Sequence, residues 1–322
     1  MNAPATRRSA TANADARPHD PLRRETGLVV ATHRRHCVVE IDGVGALECQ
    51  HRGRRLTIAC GDSAIVEHDG QYRAVVGVGP RTSLLYRSDA WRGKIVAANV
   101  TQVVALVAPD VPVDEHLLNR WIVAAEAERC RFVLVVNKMD LADSARFLER
   151  FAPYRALGYP VVAVSALHDP LPLAPWLTGQ HSVLIGQSGM GKSTLVNALA
   201  PGAAAAIGSI STALRSGRHT TSATTLHRLG ARGGGDHGWI VDSPGMTLFG
   251  LAHYGPAEIE RAFVELRALS GSCRFRDCRH DREPGCAVQA ALTDGRVAAQ
   301  RVALLRTLID ESEVAARALR RR

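Results

Sequence analysis

The sequence predicts an α/β domain built on a parallel sheet, with a small OB-like β-barrel before it and a helical module after it. Three observations carry this. The octapeptide Gly186-Gln187-Ser188-Gly189-Met190-Gly191-Lys192-Ser193 sits between an apolar run at 181–185 and a helical run from Thr194 to Leu199. Five short β-branched runs separated by turn residues crowd into 26–95. Beyond residue 252, strand patterns give way to helical periodicity and a cluster of three cysteines and a histidine.

The chain has 322 residues, 46% of them hydrophobic, enough for two or three domains with real cores. Its net charge of +9 suits a polyanionic partner. No apolar run reaches membrane-span length, and the first residues lack an apolar signal-peptide core. Cys37, Cys49, Cys60 and Cys130 are scattered, and Cys273, Cys278 and Cys286 cluster with His280. That is no disulfide framework, so the expectation is a cytoplasmic protein without membrane contact, acting as a monomer.

Residues 1–25, rich in Ala, Arg, Pro, Asn and Asp, read as a disordered basic arm. In 26–95 the strand candidates are 27–30, 37–41, 45–49, 64–67 and 72–77, with Asp42-Gly43 and Asp69-Gly70 as turn signals. His33, Arg34, Arg35, His36, Arg52, Arg54 and Arg55 give this barrel basic loops. Few aromatic residues accompany them, so they suit phosphate contact or a solvated face rather than base stacking.

From 96 to 252 strand and helix alternate, the parallel α/β pattern. Strands at 102–107, 132–136 and 161–164 enclose a helix at 115–129 and another at 145–154. The second strand ends in Asn137-Lys138-Met139-Asp140, where open α/β sheets place ligands. A carboxylate at Asp140 accepts from guanine N1–H and the 2-amino group together, a donor pair adenine lacks. Asn137 braces the loop, the Lys138 stem lies along the base, and Ser165-Ala166, ending the third strand, presents a backbone N–H to guanine O6. The phosphate loop then supplies Gly186, Gln187, Ser188, Gly189, Met190, Gly191, Lys192, Ser193 and Thr194. Lys192 reaches the β and γ phosphates and the Ser193 hydroxyl ligates Mg²⁺. Further on, Thr220 and Thr221 lie in a polar loop, Thr221 being the preferred second Mg²⁺ ligand. Asp242 and Gly245 form Asp-x-x-Gly at a strand end, for Mg²⁺ and the γ-phosphate. The expected cofactor is therefore Mg²⁺ with GTP or GDP.

The order is unusual, because the guanine motif precedes the phosphate loop. With the barrel before it and the cysteines after it, the chain resembles the ribosome small subunit-dependent GTPase A family, which are circularly permuted GTPases. The resemblance covers roughly 26–300. It implies GTP hydrolysis on the 30S subunit during late maturation, with 16S rRNA contacts from the barrel and the terminal module. Met246 stands after Gly245, where many GTPases orient water with Gln, and the family implies a switch-region histidine instead, His219 here. A nucleotide-gated RNA-binding scaffold with incidental hydrolysis is the alternative reading. Gly189 stands where potassium-activated GTPases carry Asn, so no potassium activation is expected.

Residues 253–322 form the third unit. Cys273, Cys278, His280 and Cys286 supply three thiolates and an imidazole within fourteen residues, a closed set suited to one structural Zn²⁺. Arg274, Arg276 and Arg279 beside them suit RNA phosphates. Helices are expected at 257–269 and from 295 to about 319, ending in Arg317, Arg320, Arg321 and Arg322. Because Asp-x-x-Gly leads directly into this unit, nucleotide state is expected to reposition it.

Overall fold

The computed structural model describes residues 23–33, 36–52, 56–69, 72–89, 92–200, 224–229, 238–242, 251 and 253–320. Strand β1 (Arg23–Thr32) organises the N-terminal part. It pairs along Leu28–Thr32 with β2 (His36–Ile41) and along Arg23–Leu28 with β4 (Ser63–His68), antiparallel to both. β2 pairs with β3 (Gly45–His51), β3 runs parallel to β5 (Arg73–Val78), and β5 returns antiparallel to β4. The ring is closed, giving the expected small barrel. Alternate residues point inward, so Val29, Cys37, Val39, Cys49, Ala64, Val66 and Val75 fill its interior. At the first turn Gly43 takes φ +75°, which the Asp-Gly hairpin needs.

β1 starts at Arg23, inside the stretch expected to be a disordered arm. Arg24 accounts for this, because its guanidinium meets Glu67 at 2.5 Å across the β1–β4 pair, and Arg52 takes the other carboxylate oxygen at 3.0 Å. The barrel strands end at Val78. Arg81 then folds back onto the fully buried Asp62 with two hydrogen bonds of 2.7 Å. A separate hairpin follows, β6 (Leu84–Asp89) and β7 (Arg92–Ala98), where the sequence predicts barrel to residue 95.

The nucleotide-type domain contains β8 (Gln102–Val107), α1 (Glu115–Ala127), β9 (Arg131–Val136), α2 (Ser144–Glu149), α3 (Ala152–Ala156) and β10 (Val161–Ala163). It continues through α4 (Ala174–Leu177), β11 (His181–Ile185), α5 (Lys192–Leu199), β12 (Thr224–Arg228) and β13 (Trp239–Asp242). In space the strands lie β10-β9-β8-β11-β13-β12. The first five are mutually parallel and β12 is antiparallel to β13. Val103–Val107 and Val133–Val136 are fully buried, as strands covered on both faces must be. The chain leaves β8 toward β9 and β10, then returns to its other side as β11. The crevice at that reversal is where such sheets bind ligands. β12 also pairs with β1 through Ala31↔Thr225 and Thr32↔Thr224, so barrel and domain share one eleven-stranded sheet.

The helix expected at 145–154 is two short helices that break at Phe151. Pro153 sits in the first turn of α3, where its missing N–H costs nothing, but it cannot continue α2. The helix expected at 257–269 is α6 (Pro256–Ala262) followed by a tighter 3₁₀ segment at Val264–Leu269. Helices α7 (Ala287–Thr293) and α8 (Ala299–Arg320) complete the last unit. Val302, Leu305, Leu308 and Ile309 are the buried stripe of α8. Arg301 clamps it to the rest, paired with Glu265 at 2.5 Å and lying 4.6 Å from the Phe263 ring centre. The buried Ser312 hydroxyl donates toward the carbonyls of Leu251 (3.0 Å) and Tyr254 (2.7 Å). Among the described residues, no helix is long and apolar enough to cross a membrane.

Candidate functional site

The C-terminal ends of the parallel strands bring the sequence motifs to one edge of the sheet. β11 delivers Gly186 through Gly191, and α5 begins at Lys192. Gly186, Gly189 and Gly191 all have positive φ. A Cβ on Gly186 would stand 2.9 Å from the Leu106 carbonyl oxygen, and one on Gly191 would stand 2.4 Å from Asn137 Nδ2. Glycine is therefore required by the neighbours as well as by the turn. Met190 is wholly buried under the loop. Ser188, Gly189, Ser193 and Thr194 are exposed toward solvent, as groups that meet a ligand must be.

Lys192 folds over the loop, donating to the Gly186 (2.7 Å) and Gln187 (2.9 Å) carbonyls. Burial pushes its pKa down, and the Asp242 carboxylate opposes this. Asp242 ends β13 and is pushed up by burial, against the pull of Lys192 and His227. A half-buried lysine and aspartate at the mouth of an N–H-lined loop suit a bound anion with its metal.

β9 delivers the guanine-type motif beside this loop. Asn137, 1% exposed, joins three segments. Its Nδ2 donates to the Met190 carbonyl at 2.8 Å, and its Oδ1 accepts from Ala166 N at 2.9 Å. The Ala166 N–H expected to face guanine O6 is thus engaged with Asn137 in this structure. Ser165 donates from Oγ to Asp140 Oδ1 at 2.5 Å, and this bond is the chief reason Asp140 is held below the usual carboxylate pKa. The exposed carboxylate stays ionised and fixed in direction, as acceptance from two base N–H groups requires. Asp110, just after β8, holds Lys138 Nζ at 2.6 Å. The sequence reading missed Asp110, whose one signal was its place at a strand's C-terminal end. Thr220, Thr221, His219, Gly245 and Met246 lie outside the described residues, as do Arg34, Arg35, Arg54, Arg55, Arg321 and Arg322.

The second centre lies in the last unit. One ligand atom from each of Cys273, Cys278, His280 and Cys286 falls within 4.8 Å of the others. Cys273 Sγ is 3.6 Å from His280 Nδ1 and 3.9 Å from Cys286 Sγ, and His280 Nδ1 is 3.4 Å from Cys286 Sγ. A tetrahedron of Zn–S and Zn–N bonds has edges of about 3.8 Å and about 3.5 Å, so the donors fit a zinc ion. The thiolates are also supported from the protein side, Cys286 Sγ accepting from Gln289 N and Cys273 Sγ from Ala287 N, each at 3.4 Å, at the start of α7. Glu260, on α6, lies 3.3 Å from His280 Nε2. A carboxylate there keeps the proton on Nε2 and leaves Nδ1 for the metal. Nothing in the local spacing pointed to Glu260, twenty residues upstream.

Comparison with known proteins agrees with this geometry. A family model described as RsgA GTPase matches residues 78–252. The small ribosomal subunit biogenesis GTPase RsgA of Paraburkholderia phytofirmans is 45% identical over 293 residues, covering 89% of this chain and 93% of that protein. The crystal structure of YjeQ from Thermotoga maritima superposes with a TM-score of 0.67 at 29% identity, covering 90% of this chain and 98% of the other. YloQ, described as a circularly permuted GTPase, shares the fold at 24% identity, with a TM-score of 0.63 and coverage of 94% and 98%.

Proposed function

The chain belongs to the RsgA GTPase family, a circularly permuted GTPase fold, and from this we propose that it hydrolyses GTP on the small ribosomal subunit during late maturation. Asn137 carries the reading, because one buried side chain holds the guanine motif, the phosphate loop and the Ser165-Ala166 turn together. Asp140, fixed by Ser165, selects guanine. Lys192 and the loop N–H groups take the phosphates, and Ser193, Thr221 and Asp242 arrange Mg²⁺. Such a site works by positioning and charge stabilisation. His219 is the candidate for orienting or accepting the proton of the attacking water. Zn²⁺ at Cys273, Cys278, His280 and Cys286 staples the 273–286 segment, which buries no large apolar side chain of its own. The barrel and this unit contact 16S rRNA, and the protein works as a cytoplasmic monomer.

The experiment is GTP turnover by the purified protein alone, with 30S subunits, with 50S subunits and with free RNA. Stimulation by 30S alone is expected, and it should be lost in His219→Ala with GTP affinity retained. Equal turnover under all four conditions would remove the link to the small subunit and favour a nucleotide-gated scaffold.

A further inference from the structure

The loop between the first two cysteines of the cluster reads Arg274-Phe275-Arg276-Asp277, and all four residues are exposed. Phe275 is one of the few large apolar side chains left at the surface, at 42% exposure. The loop is nonetheless held firmly. Cys273 and Cys278 anchor its ends, Arg274 N donates to the Gly285 carbonyl at 3.1 Å, and Cys278 N donates to the Phe275 carbonyl at 3.4 Å. Gly285 has φ +75°, and a Cβ there would press against Arg274 Cβ at 3.0 Å, so the two strands of the loop lie in contact. The Arg274 guanidinium packs 5.6 Å from the Phe275 ring centre.

The charges of the same unit show what this loop faces. Glu283 is consumed by the backbone N–H groups of Arg279 (2.7 Å), Asp281 (2.8 Å) and Arg282 (3.1 Å). Asp281 pairs with Arg306 at 3.1 Å, and Arg279 with Glu313 at 2.6 Å. Among the described residues, Arg274, Arg276 and Arg282 make no ion pair. With the internal pairs removed, the 273–286 segment offers three arginines, one of them packed on the Phe275 ring, against the single acid Asp277.

We propose that Arg274-Phe275-Arg276 is a stacking platform for one unpaired RNA base, with the flanking guanidiniums on the adjoining phosphates. A π-face on a rigid support accepts any base, and arginine beside it adds both charge and stacking. Among the described residues the barrel exposes a single Phe/Tyr/Trp ring, Tyr72, with no arginine stacked on it, so the two RNA-facing regions divide the work, the barrel chiefly on backbone and this loop on a base. The inference rests on the reading that the protein works on the small subunit.

The test uses the full-length, zinc-loaded protein titrated with 30S subunits and with naked 16S rRNA at several salt concentrations. Phe275→Leu should weaken both by roughly 5- to 150-fold with the salt slope unchanged. Phe275→Tyr should retain affinity. Arg274→Gln and Arg276→Gln should each lower the salt slope by about 0.7. Zinc content and ribosome-free turnover should match the parent in all four variants. Unchanged affinity in a zinc-replete Phe275→Leu would overturn the proposal. So would a loss confined to 30S subunits, which would identify a protein surface as the partner. If the parent protein bound neither subunit nor RNA, the functional reading itself would fall, an outcome visible before any variant is made.

Discussion

Gly191→Ala tests the idea that one asparagine joins the base and phosphate halves of the nucleotide site. Gly191 sits at φ +90°, and a Cβ there meets Asn137 Nδ2 at 2.4 Å. The left-handed conformation costs an alanine roughly 1–2 kcal/mol. Moving the buried Asn137 breaks its bonds to Met190 O and Ala166 N and strands polar groups away from water, at about 1–3 kcal/mol. The sum is about 2–5 kcal/mol, and the protein can lose it in either of two ways. If the loop keeps its geometry, the folded state is destabilised. If it relaxes, the cost appears on nucleotide binding, as at least about a thirtyfold loss of affinity. Two measurements capture both routes: denaturant unfolding of the nucleotide-free protein and calorimetric titration with GDP. The losses should add to the stated range. A variant with parental stability and parental GDP affinity would refute the role given to Asn137.

Asp140→Asn should shift preference from GTP toward XTP, because an amide donates where the 2-oxo group of xanthine accepts; competition titrations with both nucleotides check this. Elemental analysis should find one zinc per chain. Cys286→Ser should lose it and loosen α7, seen as faster amide exchange over 287–293. Asp62→Ala strands the Arg81 guanidinium and should cost about 3 kcal/mol in denaturant unfolding, while the parent's zinc content is kept. Amide exchange of the described part of 251–290 should differ between GDP and a non-hydrolysable GTP analogue, because Ser312 ties the segment that follows Asp-x-x-Gly to α8.

Much of this was legible because the chemistry sits in short local patterns. The strand before Asn137, the strand before Gly186 and the five barrel strands each announce themselves within ten residues, by apolar runs and turn residues. The Cys/His cluster is equally local. What escaped depends on distance along the chain. The hairpin of β6 and β7 has no tight-turn signal, and its Leu84 N–H is held at 2.9 Å by Glu128, the residue that caps the C-terminal end of α1. Strand β1 reaches back to Arg23 because Glu67, more than forty residues on, waits for Arg24. Asp110 finds Lys138 only once β8 and β9 lie side by side. The Ala166 N–H, expected to face guanine O6, also meets Asn137 Oδ1 at 2.9 Å, a contact no spacing rule encodes.

The shared eleven-stranded sheet also bears on solubility. A long open sheet ordinarily carries two edges on which other chains can pair. Here barrel closure removes one, since β4 returns to β1. β1 gives the rest of that side to β12, and the remaining stretch of β12 carries Arg228, held by Glu40 at 3.1 Å. The free terminus of the sheet is β10, three residues long and led by Pro160. A short strand entered through proline offers a poor template for addition. By fusing two domains through a single strand, the molecule leaves the shared sheet, among the described residues, a free terminus only three residues long.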